Sequence, residues 1–458
     1  MKAKDFLENV CSNIKYKPAS KQISEELRTH IEEAQVEIIG KGYSEEEAEE
    51  IAVKKMGNAK EIGKKLNKIH RPKLDLGILI TAIVFSILDG WPSIFLGIDM
   101  LWNKLYLGIN NFMTAKMIYI ISISTMILAI CLYFFDYRKI YKYSKIIYML
   151  ATILNIVSCI RGERYNGNII WGLEPFTNVS ATVFSVPLYV IAFSGLVQDY
   201  IQDKKDNYFK LILLSILSVI LSLIINFVSG FVLAIVYMMI SIVLLAKKSK
   251  YKRIISVYSC SIIGVFLLTT IICVIPTKII NKQEKLESSY WLGIDTMQKE
   301  KIEITRQEVI QNSKLFGSAE IEFNPENIYA FSKCIFLSVL SKYGWVTSIS
   351  FAIIIIGFEI KILIDAINIK DNYGKTIMLG ISILYLTQTL GNIAMNFGFG
   401  VIAEFSLPFI RGGMTENLMN IICLSLMLSI YRRKDINFEE PQKSKVLAKI
   451  EDYFFEKC

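Results

Sequence analysis

Ten apolar runs, each long enough to cross a membrane, constrain this chain more than any other feature. They lie at about 75–99, 115–135, 142–160, 178–198, 207–227, 229–246, 254–275, 334–364, 375–399 and 412–431. A helix needs about 20 apolar residues to cross a ~30 Å hydrocarbon layer. The eighth run is too long for one span and is expected to begin as a helix outside the membrane or at its interface. The expected fold class is all-α: a polytopic membrane protein of about ten transmembrane helices plus a small N-terminal cytoplasmic helical domain. Composition agrees, with 53% hydrophobic and only 20% charged residues in 458. The apolar residues are also clustered, which is the stronger signal.

Basic residues orient the spans. Arg71 and Lys73 precede the first. Arg138, Lys139, Lys142 and Lys145 follow the second, and Lys204, Lys205 and Lys210 follow the fourth. Lys247, Lys248, Lys250, Lys252 and Arg253 follow the sixth, Lys370 and Lys375 the eighth, and Arg432, Arg433 and Lys434 the tenth. With ten spans these loops share one side, so both termini are expected in the cytoplasm and the protein in the cytoplasmic membrane. The net charge of +9 is then explained by the loops, and no nucleic-acid partner is expected. The alternate loops are poorer in Lys and Arg, except the long one at about 276–332. That loop faces outward, is too long for a mere connector, and has a candidate helix at Glu300–Asn312.

Residues 1–72 read as a soluble helical head, 73–431 as the membrane domain and 432–458 as a cytoplasmic tail. In the head, Ile23, Leu27, Ile31, Ala34 and Ile38 recur at steps of three and four and give one apolar stripe. Ser44-Glu-Glu-Glu47 is a capping box, and Gly57 is placed to end the helix it starts. Asn58-Ala-Lys-Glu61 repeats the capping pattern. The charged first 70 residues are no secretory signal. Eight Cys are scattered without metal spacing, and His30 and His70 are too few and too distant, so neither a metal nor a cofactor is expected. Asn155, Gln388, Asn392 and Asn396 lie within apolar runs. They are expected to face the bundle interior, as interhelical hydrogen bonds or as the lining of a polar cavity.

Several stretches resemble known families. Phe6-Leu-Glu-Asn-Val-Cys11, Glu25-Glu-Leu-x-x-His30, Gly42-Tyr-Ser-Glu-Glu-Glu-Ala48, Lys55-Met-Gly-Asn58 and His70-Arg-Pro72 resemble the permease prefix domain that heads various membrane proteins. Phe135-Asp-Tyr-Arg138 with Tyr143-Ser144 and Tyr148 resembles the link between spans two and three of the RodA/FtsW/SpoVE (SEDS) family. Asn166-Gly-Asn-Ile-Ile-Trp171 resembles an outer loop of that family. Gly391-Asn-Ile-Ala-Met-Asn396 and Leu407-Pro-Phe-Ile-Arg-Gly-Gly413 resemble its last motifs.

That resemblance implies cell-wall synthesis, cell shape or cell division, with a glycosyltransferase that polymerises a lipid-linked glycan precursor. It implies a substrate site at Asn166, Trp171, Arg411, Gly412 and Gly413. Its implied partners are the lipid-linked precursor, membrane lipids, and a transpeptidase or other division or elongation protein. The family's catalytic Asp stands about eleven residues before a Gly; counted back from Gly344, that position holds Lys333. Alignment on Pro325-Glu326 puts Ala330 there instead. Lys333 and Glu326 are therefore the catalytic candidates, and the usual Asp is missing. Phe176–Pro187 also lacks the acid and lysine of the family's Pro-Ser-Glu-x-x-Lys signature, and Arg411 replaces a small hydroxyl residue. Two readings stay open: an enzyme with an unconventional base, or a non-catalytic scaffold that binds precursor or a transpeptidase. A transporter comes third.

Overall fold

The computed structural model describes residues 2–14, 16–70, 124, 127–165, 168–173, 176–202, 208–245, 304, 306–319, 335–397, 407–408 and 414–434. The apolar runs at 75–99 and 254–275 lie outside the described residues, as do the first part of the second run and most of the long loop. Contacts divide the chain into two compact units. One is Met1–Asp75 with Ile369–Asp371 and Tyr431–Cys458; the other is Leu76–Asn368 with Asn372–Ile430.

Four helices form the head: α1 (Ala3–Ser12), α2 (Lys17–Ile39), α3 (Glu45–Met56) and α4 (Ala59–His70). The predicted stripe of α2 does the packing. Ile23, Ile31 and Ile38 are buried with Phe6, Val10 and Ile14 of the N-terminal segment and Ala48, Ala52 and Val53 of α3. Leu27 and Ala34 pack at the margin of this core. A fully buried Phe or Ile contributes about 2 kcal/mol by leaving water, so a head of this size holds together on few residues.

Local sequence sets the helix ends. Ser44 Oγ accepts from Glu47 N at 3.4 Å, and the Glu47 carboxylate accepts from Ser44 N at 3.2 Å and Ser44 Oγ at 2.8 Å. Gly57 ends α3 at φ +92°, which only glycine adopts cheaply. Asn58 Oδ1 accepts from the amides of Lys60 and Glu61 at 3.0 and 3.4 Å and starts α4. The bonds from the Ser44 hydroxyl, and then from its amide, hold the Glu47 carboxyl below its ordinary value. A lowered carboxyl pKa stabilises the fold above the unfolded value, and that gain disappears as pH falls through the folded value. Ser44→Ala is expected to cost α3 about 1 kcal/mol. Amide exchange of α3 in the intact protein should show that loss near pH 7, and the share of it that depends on the Glu47 carboxylate should shrink as pH falls through the lowered folded value.

The second unit is a helical bundle. Its described helices are the short α5 (Arg138–Tyr141), α6 (Ser144–Arg161), α7 (Thr182–Gln202), α8 (Tyr208–Ile225), α9 (Phe227–Leu245), α10 (Ile335–Tyr343), α11 (Trp345–Ile367), α12 (Asn372–Asn396) and α13 (Met414–Tyr431). Residues 306–312 are also helical, within the stretch predicted from the sequence. Ser144–Arg161, Thr182–Asp199, Trp345–Ile367 and Asn372–Asn396 are each long and apolar enough to cross a membrane, and shorter apolar helices accompany them. The protein is a helical, multi-pass membrane protein.

The central helix is α12, which packs on α7, α9, α10 and α11. Small residues let the helices approach, as membrane interfaces require. A Cβ on Gly380 of α12 would lie 2.5 Å from Val190 of α7 and 3.0 Å from Ile240 of α9. A Cβ on Gly195 of α7 would overlap Ser144 at the start of α6. Hydrogen bonds tie the same helices. Tyr148 of α6 donates to Leu214 O of α8 at 2.7 Å, and Tyr189 of α7 donates to Thr152 of α6 at 3.2 Å. Asn155 is fully buried and donates to Ser222 of α8 at 3.5 Å. The Asp136–Arg138 motif caps its own turn, with Arg138 N and Nε both donating to Asp136 Oδ1 at 3.2 and 2.8 Å. Ser429 of α13 donates to Phe135 O at 2.6 Å and fastens that link to the last helix.

One small sheet interrupts the helices. Strands β1 (Glu163–Tyr165), β2 (Asn168–Leu173) and β3 (Phe176–Ser180) pair antiparallel in that order between α6 and α7. Trp171 pairs with Val179, and a register shift follows before Leu173. No strand was expected here. The β-branched Ile169, Ile170, Thr177 and Val179 favour a pleated strand, but the segment alternates too briefly to stand out beside the long apolar runs.

Candidate functional site

The Gly391–Asn396 motif lies where α10, α11 and α12 come together. The eighth apolar run is not one helix: it breaks at Gly344, which lies at φ +84° between α10 and α11. The break creates a helix start whose first amides need acceptors. Residues from the end of the long loop supply them. Trp345 N donates to Lys314 O at 3.1 Å, and Val346 N donates to Leu315 O at 3.2 Å. Ala319 N donates back to Ser341 O of α10 at 2.7 Å. The 313–319 segment is thus fastened to the break by backbone bonds on both sides.

From α12 comes the other fixing contact. Asn392 and Asn396 are both 1% exposed and lie one turn apart. Asn396 Nδ2 donates to Asn392 O at 2.7 Å and Oδ1 at 3.0 Å, which leaves Asn396 Oδ1 free to face α10. There it accepts from Leu337 N at 3.2 Å, in the first turn of α10. The two amides therefore act as a lattice that caps a neighbouring helix. This is the interhelical reading of these residues, as it is for Asn155. Gln388, predicted to belong to the same group, is only partly buried. Around the amides, Phe397 packs on Phe336 at 5.6 Å between ring centroids and stacks on Trp345 at 6.2 Å. Leu407 and Pro408 of the last motif are buried.

This frame positions chain segments more clearly than reactive groups. Lys333, Glu326, Asn166, Arg411, Gly412 and Gly413 lie outside the described residues. Trp171 is described by its backbone in β2. In the chain, Lys333 stands two residues before α10, and Gly412-Gly413 immediately precede α13.

One carboxylate escaped the sequence reading. Glu359 sits in the middle of α11, 1% exposed, where Thr389 Oγ1 of α12 donates to its Oε1 at 2.6 Å. Its Oε2 has no hydrogen-bond partner among the described residues. An acid inside a span is costly unless partnered, and Thr389 provides one partner. The available signal was a single acid in an apolar run, with Thr389 in the run that follows.

Three solved structures share this architecture. A chain from a structure described as "Structural coordination of polymerization and crosslinking by a peptidoglycan synthase complex" matches at TM-score 0.57 and 12% identity, over 80% of this chain and 99% of that one. The fold is RodA-like. The rod shape determining protein RodA of Thermus thermophilus matches at TM-score 0.51 and 13% identity, over 80% of this chain and 98% of RodA. A mutant of the same RodA matches at TM-score 0.52 and 12% identity, over 80% and 99%. No protein-family model matches the chain, and no curated protein does. The chain therefore shares the RodA fold at only 12–13% sequence identity.

Proposed function

We propose that this protein works in cell-wall synthesis at the cytoplasmic membrane, holding a lipid-linked glycan precursor with little polymerising activity of its own. The likeness of fold carries the reading, because it covers nearly the whole length of the RodA and synthase-complex chains. The divergence in chemistry comes from the sequence. A cation, Lys333, stands at the position of the family's acid, and Arg411 interrupts its last motif. A carboxylate base that takes a proton from an acceptor hydroxyl is typically worth about 10²–10⁴-fold. A lysine does this only when desolvation strips its charge. Cations instead suit a pyrophosphate-linked lipid, held by charge and hydrogen bonds.

Glu326 is the alternative base, and Asn166, Trp171 and the Gly412-Gly413 pair complete the proposed substrate site. No cofactor or metal enters. Membrane lipids surround the spans, and a transpeptidase is the proposed protein partner. The basic loops support an orientation with both termini in the cytoplasm and the 276–332 loop outside.

The test uses purified protein in nanodiscs with fluorescent lipid-linked disaccharide-peptide. Precursor should bind while polymer stays near background, and Arg411→Ala should weaken binding about tenfold, the loss of one charge-assisted contact. Robust polymerisation that survives Lys333→Ala and is abolished by Glu326→Gln would defeat the precursor-holding reading and identify Glu326 as the base.

A further inference from the structure

The lysines of α4 have no role in the reading above. Lys60, Lys64 and Lys68 recur every four residues and so share one helix face, with Lys65 beside them. All four are exposed. Among the described residues none of these four ammonium groups makes a hydrogen bond or an ion pair, whereas the Lys41 ammonium is bonded to Glu37 at 2.6 Å. Glu61 is the only acid that α4 contributes.

The opposite face fixes how these lysines are presented. Ile62 and Leu66 pack against the head core. Gly63 is buried so tightly on α1 that a Cβ there would meet Val10 O at 2.7 Å and Asn13 Cβ at 2.8 Å. The helix cannot roll without breaking that contact, so the lysine face stays turned away from the head. In sequence, α4 ends at His70, a few residues before the first apolar run, with Arg71 and Lys73 between. A helix on so short a tether is held near the bilayer surface at high effective concentration.

We infer that the Lys60, Lys64, Lys65 and Lys68 face of α4 binds anionic phospholipid headgroups. A row of cations just outside a span is attracted by an anionic leaflet and by little else within a Debye length of the surface. Lysine suits diffuse headgroup phosphates because its ammonium is a point charge without a preferred plane. The head is thereby a lipid-sensing element: its face engages or releases as the anionic content of the membrane changes.

The experiment is amine-reagent labelling of the full-length protein in nanodiscs, read lysine by lysine by mass spectrometry. One bilayer is phosphatidylcholine; the other contains about 30 mol% phosphatidylglycerol, an anionic fraction sufficient for this attraction. Labelling of Lys60, Lys64, Lys65 and Lys68 should slow about fivefold or more in the anionic bilayer, and Lys41 should not change. Protection should vanish near 1 M salt, where the screening length is about 3 Å. The double substitution Lys64→Glu with Lys68→Glu should remove the protection of Lys60 and Lys65 while α3 amide exchange stays as in the parent. Equal labelling in the two bilayers, or protection that persists at high salt or in the double variant, would overturn the inference.

Discussion

Gly344→Val is expected to destabilise the membrane unit by about 3 kcal/mol or more, among the large effects for a single substitution. Two costs combine. At φ +84° any L side chain is strained, by about 1–2 kcal/mol, and a β-branched one more. The new Cβ would also meet Lys314 O at 2.7 Å and Leu315 O at 2.8 Å. Both are backbone atoms, so no rotamer change relieves the clash. They are also the acceptors for Trp345 N and Val346 N, so retreat would strip the start of α11 of its caps. Gly357, in the same helix, is the internal control. A Cβ there meets nothing within 4 Å, and Gly357→Ala should be neutral or stabilising by about 0.5–1 kcal/mol. Thermal unfolding in detergent measures both, and amide exchange at residues 345–348 should rise in Gly344→Val alone. A valine variant as stable as Gly357→Ala would mean that glycine is not needed at the break.

How far such contacts can be read from sequence depends on their range. In the head, Ser44 bonds Glu47 and Asn58 bonds Lys60 and Glu61, each within three residues along the chain, and Gly57 ends its own helix, so these contacts follow the spacing directly. The break in the eighth run was legible as excess length, because thirty apolar residues overshoot one bilayer. Its place at Gly344 was not, since what demands glycine is the approach of Lys314 and Leu315 from another segment. Asn392 and Asn396 announced themselves as polar residues in an apolar run. Leu337 N, the partner of Asn396, lies 59 residues away and is a backbone group, which no pattern of side chains reveals. Glu359 and Thr389 illustrate the same limit: the acid is visible, but its hydroxyl partner is one Thr among several in the neighbouring run. The sheet at 163–180 depends on pairing between short segments, so local preference alone could not bring it out. For the proposed substrate site, the motifs near α12 and α13 entered only as a family resemblance. The reactive groups proposed there lie just beyond the ends of those helices, at 333 and 411–413.

Lys333→Asp is expected to raise glycan polymerisation by about 10²-fold or more, the typical worth of a positioned general base. The acceptor hydroxyl attacks well only as its proton departs, and a carboxylate supplies the lone pair that takes it. A protonated lysine supplies none, and its charge would also lower the basicity of any acid nearby. Three substitutions separate these effects. Lys333→Asn removes the cation without adding a base, Lys333→Ala also removes the polar contact, and Lys333→Asp does both jobs at once. If the proposed frame is intact, polymer should appear with Asp and remain near background with Asn and Ala, while precursor binding weakens by about tenfold but stays measurable, the loss of one charge-assisted contact. Equal gains with Asp and Asn would mean that the lysine charge, not the missing base, suppresses the reaction. No gain with any of them, binding being retained, would leave Arg411 as the next obstacle: a cation that holds the pyrophosphate in its ground state opposes its departure as a leaving group unless it binds the transition state better still.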